Sequence, residues 1–168
     1  MIRCGLVERV CRGVYHVVSE GRGTNFVLAM VCARRPGSVV CLHSALHLHG
    51  IRSQSVGTEW LAIPHGSHTP RLPNMQLRVV RFSAAAWTFR VRETEIDGVP
   101  ARITSPERTV ADCFRLRRQV GADAGPEAFR DALNKGLVDI EELVRIEGAL
   151  PCRRLRLLLA CYSKGPLG

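Results

Sequence analysis

Cysteine and histidine crowd one short stretch, Cys41-Leu-His-Ser-Ala-Leu-His-Leu-His-Gly50. Zinc takes Cys and His ligands, and His43 and His47 are four apart, so one helix face could present both. A closed structural site needs four convergent ligands. A second pair is missing here unless His65 or His68 returns from a loop. His49, just before Gly50, is explained more simply as a helix C-terminal residue favoured by the dipole. We therefore expect a structural role for this stretch and no metal. A nucleophilic Cys–His pair needs an accessible, electropositive pocket around the thiol. With seven cysteines and six histidines, chance pairings are expected, and they assign no catalytic residue. A metal-dependent nuclease gathers carboxylates around its ion. Glu93 and Glu95 fall on one strand face and Asp97 sits where a turn explains it. We expect neither an enzyme nor a cofactor.

Arginine is the other residue that could carry function. Lys and Arg number 24 against 15 Asp and Glu, a formal charge of +9. Such an excess favours nucleic acid, an acidic partner or an anionic surface, or else merely solvates the exterior. Arginine suits bidentate recognition of phosphate and carboxylate better than lysine does. Two clusters stand out, Arg115, Arg117 and Arg118, then Arg153, Arg154 and Arg156. Each follows or interleaves an apolar stripe. Each reads either as a solvated helix face or as a docking patch for an acidic partner or for phosphates. Aromatics are only 5% of residues, which weakens a base-stacking role.

The elements that would position these residues can be read along the chain. Thr24 is a candidate N-cap for a helix from Asn25 to about Arg34. Val39-Val40-Cys41 reads as short and buried, and Ser44 to His49 as a helical turn or two closed by Gly50. Trp60 to Ile63 and Leu77 to Phe82 read as strands, with a loop from His65 to Asn74 and a short helix from Ala84 to Phe89. Asp97-Gly98 between Glu93–Ile96 and Val99–Ile103 signals a hairpin, because both central residues of its turn need positive φ. Ser105-Pro106-Glu107 opens a helix to about Gln119, with Val110, Ala111, Cys113 and Phe114 as its apolar stripe. Arg108 and Asp112 are four apart there and can pair. Helices follow from Pro126 to Lys135 and from Asp139 to Glu147, the latter stopped by Gly148. A last helix opens at Pro151 and carries Leu155, Leu158, Leu159 and Tyr162. The fold class expected is α/β (α+β), a mixed sheet with short helices and a helical C-terminal third.

At the N-terminus, Gly5 to Tyr15 (GLVERVCRGVY) reads as a two-stranded basic ribbon broken near Gly13. It resembles the wing of a winged-helix DNA-binding domain. Four stretches then occur in one order: Val7–Tyr15, Cys41–Gly50, Val80-Arg-Phe-Ser83 and Ile103-Thr-Ser-Pro-Glu-Arg-Thr-Val-Ala-Asp112. Together they resemble the AbiEi family, the antitoxins and transcriptional regulators of type IV toxin–antitoxin systems. The resemblance implies a residual winged-helix ribbon at 1–22 and an AbiEi-like antitoxin domain at 23–168. It implies promoter (operator) DNA and a nucleotidyltransferase-like toxin as partners. It places Arg9, Arg12 and Tyr15 of the wing as phosphate contacts, which position DNA without reading its sequence. The recognition helix that such a domain uses for base readout has no room before Met1, so backbone contact alone is expected of this sequence. A stand-alone DNA-binding regulator and a nucleic-acid-processing enzyme are the alternatives.

At 168 residues the chain fits one domain with a small appendage, and its 46% apolar content supports a core. The odd cysteine number, the lack of a CxxC pair and the lack of a secretory leader point to reduced thiols and a cytoplasmic protein. The apolar run Phe26–Ala33 is too short to span a bilayer, so no membrane role is expected.

Overall fold

The computed structural model describes residues 7–11, 14–17, 24–52, 57–69 and 76–163. Strands β1 (Val7–Cys11) and β2 (Val14–Val17) pair antiparallel as the ribbon, with Arg9 opposite Tyr15 and a bulge between Arg9 and Cys11. Arg12, the side chain of Arg9, the linker at 20–23 and the loop at 70–75 lie outside the described residues.

The remaining strands form one five-stranded mixed sheet. Its centre is β3, only Val39–Val40. It runs antiparallel to β4 (Thr58–Pro64) and parallel to β7 (Val99–Thr104). β5 (Gln76–Phe82) lies parallel to β4 at one edge, and β6 (Val91–Ile96) antiparallel to β7 at the other. A strand covered on both faces needs no polar alternation, which is why Trp60-Leu-Ala-Ile63 is continuously apolar and buried. The β6 edge carries exposed Arg92, Glu93, Thr94 and Glu95, and such charges discourage pairing with another chain.

The sheet divides two cores by its period of two. On one face Leu28, Val31 and Cys32 of α1 (Phe26–Arg34) cover Val40, Leu61 and Ile103. On the other, Val39, Ala62, Val80 and Phe82 meet α2 (Leu42–Leu48), α4 (Pro106–Arg115), α6 (Ala124–Asn134), α7 (Ile140–Ala149) and α8 (Arg153–Ser163). Two short helices, α3 (Ala84–Thr88) and α5 (Arg117–Val120), complete the elements. The expected α+β class is what the structure shows.

Several boundaries differ from the sequence reading for local reasons. The N-cap of α1 is Asn25, not Thr24, and its side chain does not cap. Instead Asn25 N–H donates to the Asp97 carboxylate at 3.0 Å, so an acid from the β6–β7 turn serves the positive helix end. That turn has φ of 45° at Asp97 and 77° at Gly98, as the Asp-Gly signal requires. The helix expected to reach Gln119 breaks at Leu116 (φ −102°, ψ 26°), and the break lets both Leu116 and Val120 pack against the core. Gly148 does not stop α7, which continues to Ala149 before buried Leu150 ends it. A glycine in a helix weakens it by about 1 kcal/mol, which the anchoring of Leu143, Ile146 and Leu150 in the core outweighs.

Candidate functional site

The β7–α4 connection builds a buried polar node. Ser105 is extended, and its hydroxyl accepts from Arg108 N–H at 3.2 Å, while Pro106 needs no donor in the first turn. The Thr109 hydroxyl donates to the Ser105 carbonyl at 2.8 Å and lies 2.7 Å from the Thr104 hydroxyl. These bonds fix the helix start against the sheet.

Arg108, one turn in, is 0% exposed. Its Nε donates to Asp112 Oδ2 at 2.7 Å, and its Nη1 to the Phe89 and Ala86 carbonyls at 2.7 and 3.3 Å. The guanidinium carbon lies 4.8 Å from the Phe82 ring centroid, within cation–π range. Asp112 is equally buried, and its other oxygen accepts from Arg115 Nη1 at 2.6 Å. Burial pushes the Asp112 carboxyl above its usual range, and the two guanidinium groups push it back. The Arg108–Asp112 pair expected from spacing exists, but it lies inside the molecule and ties α4 to the end of α3. It is architecture, with no access for a substrate.

The Cys41–Gly50 stretch feeds the same node. Cys41 is the buried N-cap position of α2, and its thiol is pushed well up by burial, then by Asp112 and Cys113. Burial, then Glu59, pushes Cys32 up to about 12, and burial also raises Cys113. Thiols so placed are poor nucleophiles. His43 meets Trp60 edge-on at 5.4 Å, while His49 Nε2 donates to the Thr104 carbonyl at 2.7 Å. His65 and His68 are exposed in the turn after β4. Among the described residues, no three of His, Cys, Asp and Glu converge as a metal would require. Glu93 and Glu95 are exposed on β6, and Asp97 serves α1.

The two packed histidines carry a pH dependence. Burial lowers His49, opposed by its bond to Thr104; the Arg92 charge lowers it further and Glu107 raises it. Burial lowers His43 as well, opposed by the Val120 backbone and assisted by Arg52. A depressed folded-state pKa means the unfolded chain takes the proton first. Stability should therefore be full above the ordinary histidine value of about 6.5 and fall as pH drops below it. Urea unfolding at neutral and mildly acidic pH should show this loss, and His43→Gln with His49→Gln should flatten it. An unchanged slope in that variant would remove these residues as its source.

The arginine clusters divide by what holds them. Arg115 is committed to Asp112, and Arg156 to Glu147 at 2.9 Å. Among the described residues, the side chains of Arg117, Arg118, Arg153 and Arg154 make no ion pair or hydrogen bond. Arg117 from α5 and Arg154 from α8 both line a groove of about 300 Å³. Its walls are Phe114, Ala122, Pro126, Leu157, Leu158 and Cys161. Arg118 and Arg153 are exposed but do not line it.

The sequence reading found the arginines and missed the groove between them. Leu155 and Leu159 are buried and Leu158 half-buried, as their spacing requires, but Leu157 is 57% exposed. Three consecutive leucines on a helix cannot all face one core. That surplus at Leu157 was the available signal. Tyr162, read as part of the stripe, is exposed and only edges Phe129 at 5.7 Å. In the ribbon, Tyr15 is exposed, opposite Arg9. No protein-family model matches this chain, and no curated protein matches it significantly.

Proposed function

We propose that this protein is the antitoxin and transcriptional regulator of a type IV toxin–antitoxin operon, cytoplasmic and acting by binding alone. One observation carries the reading. Three of the four stretches that resemble the AbiEi family, far apart in sequence, meet at the buried node. His49 of Cys41–Gly50 bonds Thr104 of Ile103–Asp112, and Phe82 of Val80–Ser83 lies under Arg108 of Ile103–Asp112. The resemblance therefore covers residues that set this fold, rather than scattered surface positions. The remaining stretch, Val7–Tyr15, lies in the β1–β2 ribbon.

On this reading the ribbon contacts operator phosphates through Arg9, Arg12 and Tyr15, and the remaining domain counters a nucleotidyltransferase-like toxin. No helix among the described residues is long and apolar enough to cross a membrane. The DNA half is tested by titrating the chain against its own upstream duplex and a scrambled one over a range of salt. Arg9→Ala should weaken both duplexes equally and reduce the slope of log K against log salt by about 1, as one lost phosphate contact does. A loss confined to the natural duplex would mean base readout by the ribbon and contradict this assignment. DNA binding without any neutralisation of the toxin would instead favour a stand-alone regulator.

A further inference from the structure

The groove walled by α5, the start of α6 and α8 is lined by Arg117 and Arg154 and by no acidic residue. The neighbouring arginines differ, since Asp112 neutralises Arg115 and Glu147 neutralises Arg156. Arg117 and Arg154 have no such partner among the described residues. The rest of the lining is chiefly apolar, with buried Phe114 and half-buried Leu158 deepest and Leu157, Ala122 and Pro126 exposed. We infer that this groove is a binding site for a small amphiphilic carboxylate, its apolar chain against Phe114 and Leu158 and its carboxylate held by the arginines. The site is separate from the operon assignment, because it needs neither DNA nor a toxin.

Each feature of the ligand follows from the groove. Its volume of about 300 Å³ stands at the lower end of the range for small-molecule sites, so the apolar part is one short chain. An apolar lining with a few polar groups to fix orientation is the usual make-up of such sites. Two cationic and no anionic lining residues call for a negative head, and arginine binds carboxylate in bidentate fashion. The floor is formed before any ligand arrives. A Cβ on Gly125 would lie 2.9 Å from Phe114 Cγ, so the ring sits directly on the backbone of α6 and is held there. A fixed floor lowers the ordering cost of binding. Nucleic acid fits less well, because its phosphates would leave Leu157 and Pro126 against a charged backbone and no lining residue is an exposed aromatic for base stacking.

The test uses the whole chain and titrates it calorimetrically with octanoate, octanol and octylamine, which share a chain and differ in head charge. Octanoate should bind at a single site, and octanol and octylamine at least about tenfold more weakly, since neither offers the arginines an anion. Hexanoate should bind more weakly than octanoate, because its chain buries less apolar area. Arg117→Gln with Arg154→Gln should weaken octanoate by about tenfold or more and leave octanol unchanged. Ala122→Trp adds bulk to the wall and should weaken both. Arg118→Gln with Arg153→Gln removes the same charge outside the groove and should leave octanoate binding as in the wild type. All these positions are exposed except Arg117, which is half-buried, and far-ultraviolet circular dichroism checks that each variant folds.

Cys161, which lines the groove and is exposed, supplies an independent footprint. Its alkylation should slow in the presence of octanoate, and less so with octanol. Octanol binding as tightly as octanoate, or octanoate binding unmoved by Arg117→Gln with Arg154→Gln, would overturn the proposal. Equal protection of Cys161 by inorganic phosphate would also overturn it, since the apolar lining would then have no part in binding. So would better protection by anionic phospholipid vesicles than by octanoate, which would make the groove part of a surface and not a small-molecule site.

Discussion

Asp112→Ala should destabilise the protein by about 3–5 kcal/mol, the penalty for leaving a buried charge without its partner. Arg108 and Asp112 are both fully buried, so water cannot replace the lost carboxylate. The Arg108 guanidinium would keep its two carbonyl acceptors and the Phe82 ring, which do not neutralise its charge. Arg115, half-buried, would lose its acceptor and turn to solvent. Replacing both members, Arg108→Met with Asp112→Leu, removes the orphan and should restore much of the loss, as apolar substitution of whole buried pairs often does. Urea midpoints of the wild type, the single and the double variant decide this. A single variant within about 1 kcal/mol of wild type would mean the node is wetter than its burial implies, as exposed pairs behave.

Phe114→Ala should be the next most damaging change, at about 3–5 kcal/mol, since it empties a large ring from a packed interface. Phe114 closes α4 against the start of α6, and that approach depends on a glycine. A Cβ on Gly125 would lie 2.9 Å from Phe114 Cγ. The ring centre cannot swing away as a flexible chain end can, so Gly125→Ala should destabilise by about 1–3 kcal/mol through overpacking. In a Phe114→Leu background the steric conflict is relieved, and the two changes should couple by about 0.5–3 kcal/mol. Strict additivity of the two would contradict the contact.

Much of the fold was legible because local signals agreed with it. Asp97-Gly98 gave the turn, Ser105-Pro106 the start of α4, and the apolar spacing of α4 its buried side. The failures share a cause, which is that tertiary contacts override local rules. The start of α1 is served by an acid some seventy residues away in sequence. Leu116 breaks a helix so that two apolar residues can reach the core, and Gly148 is carried through α7 by its neighbours. The same applies to the candidate site. Spacing showed that Arg108 and Asp112 can pair, but spacing cannot tell an inside from an outside. It also grouped six arginines that the fold divides. Arg115 and Arg156 are held by acids of their own chain, and Arg117 and Arg154 line one largely apolar groove that no single stretch encodes.

The most direct test is growth rescue. The chain would be expressed together with the nucleotidyltransferase-like toxin proposed as its partner, beside an empty vector. An antitoxin restores growth relative to the empty vector, with both proteins present at equal levels. No rescue by the wild-type chain, at levels matching the toxin, would contradict the antitoxin assignment itself.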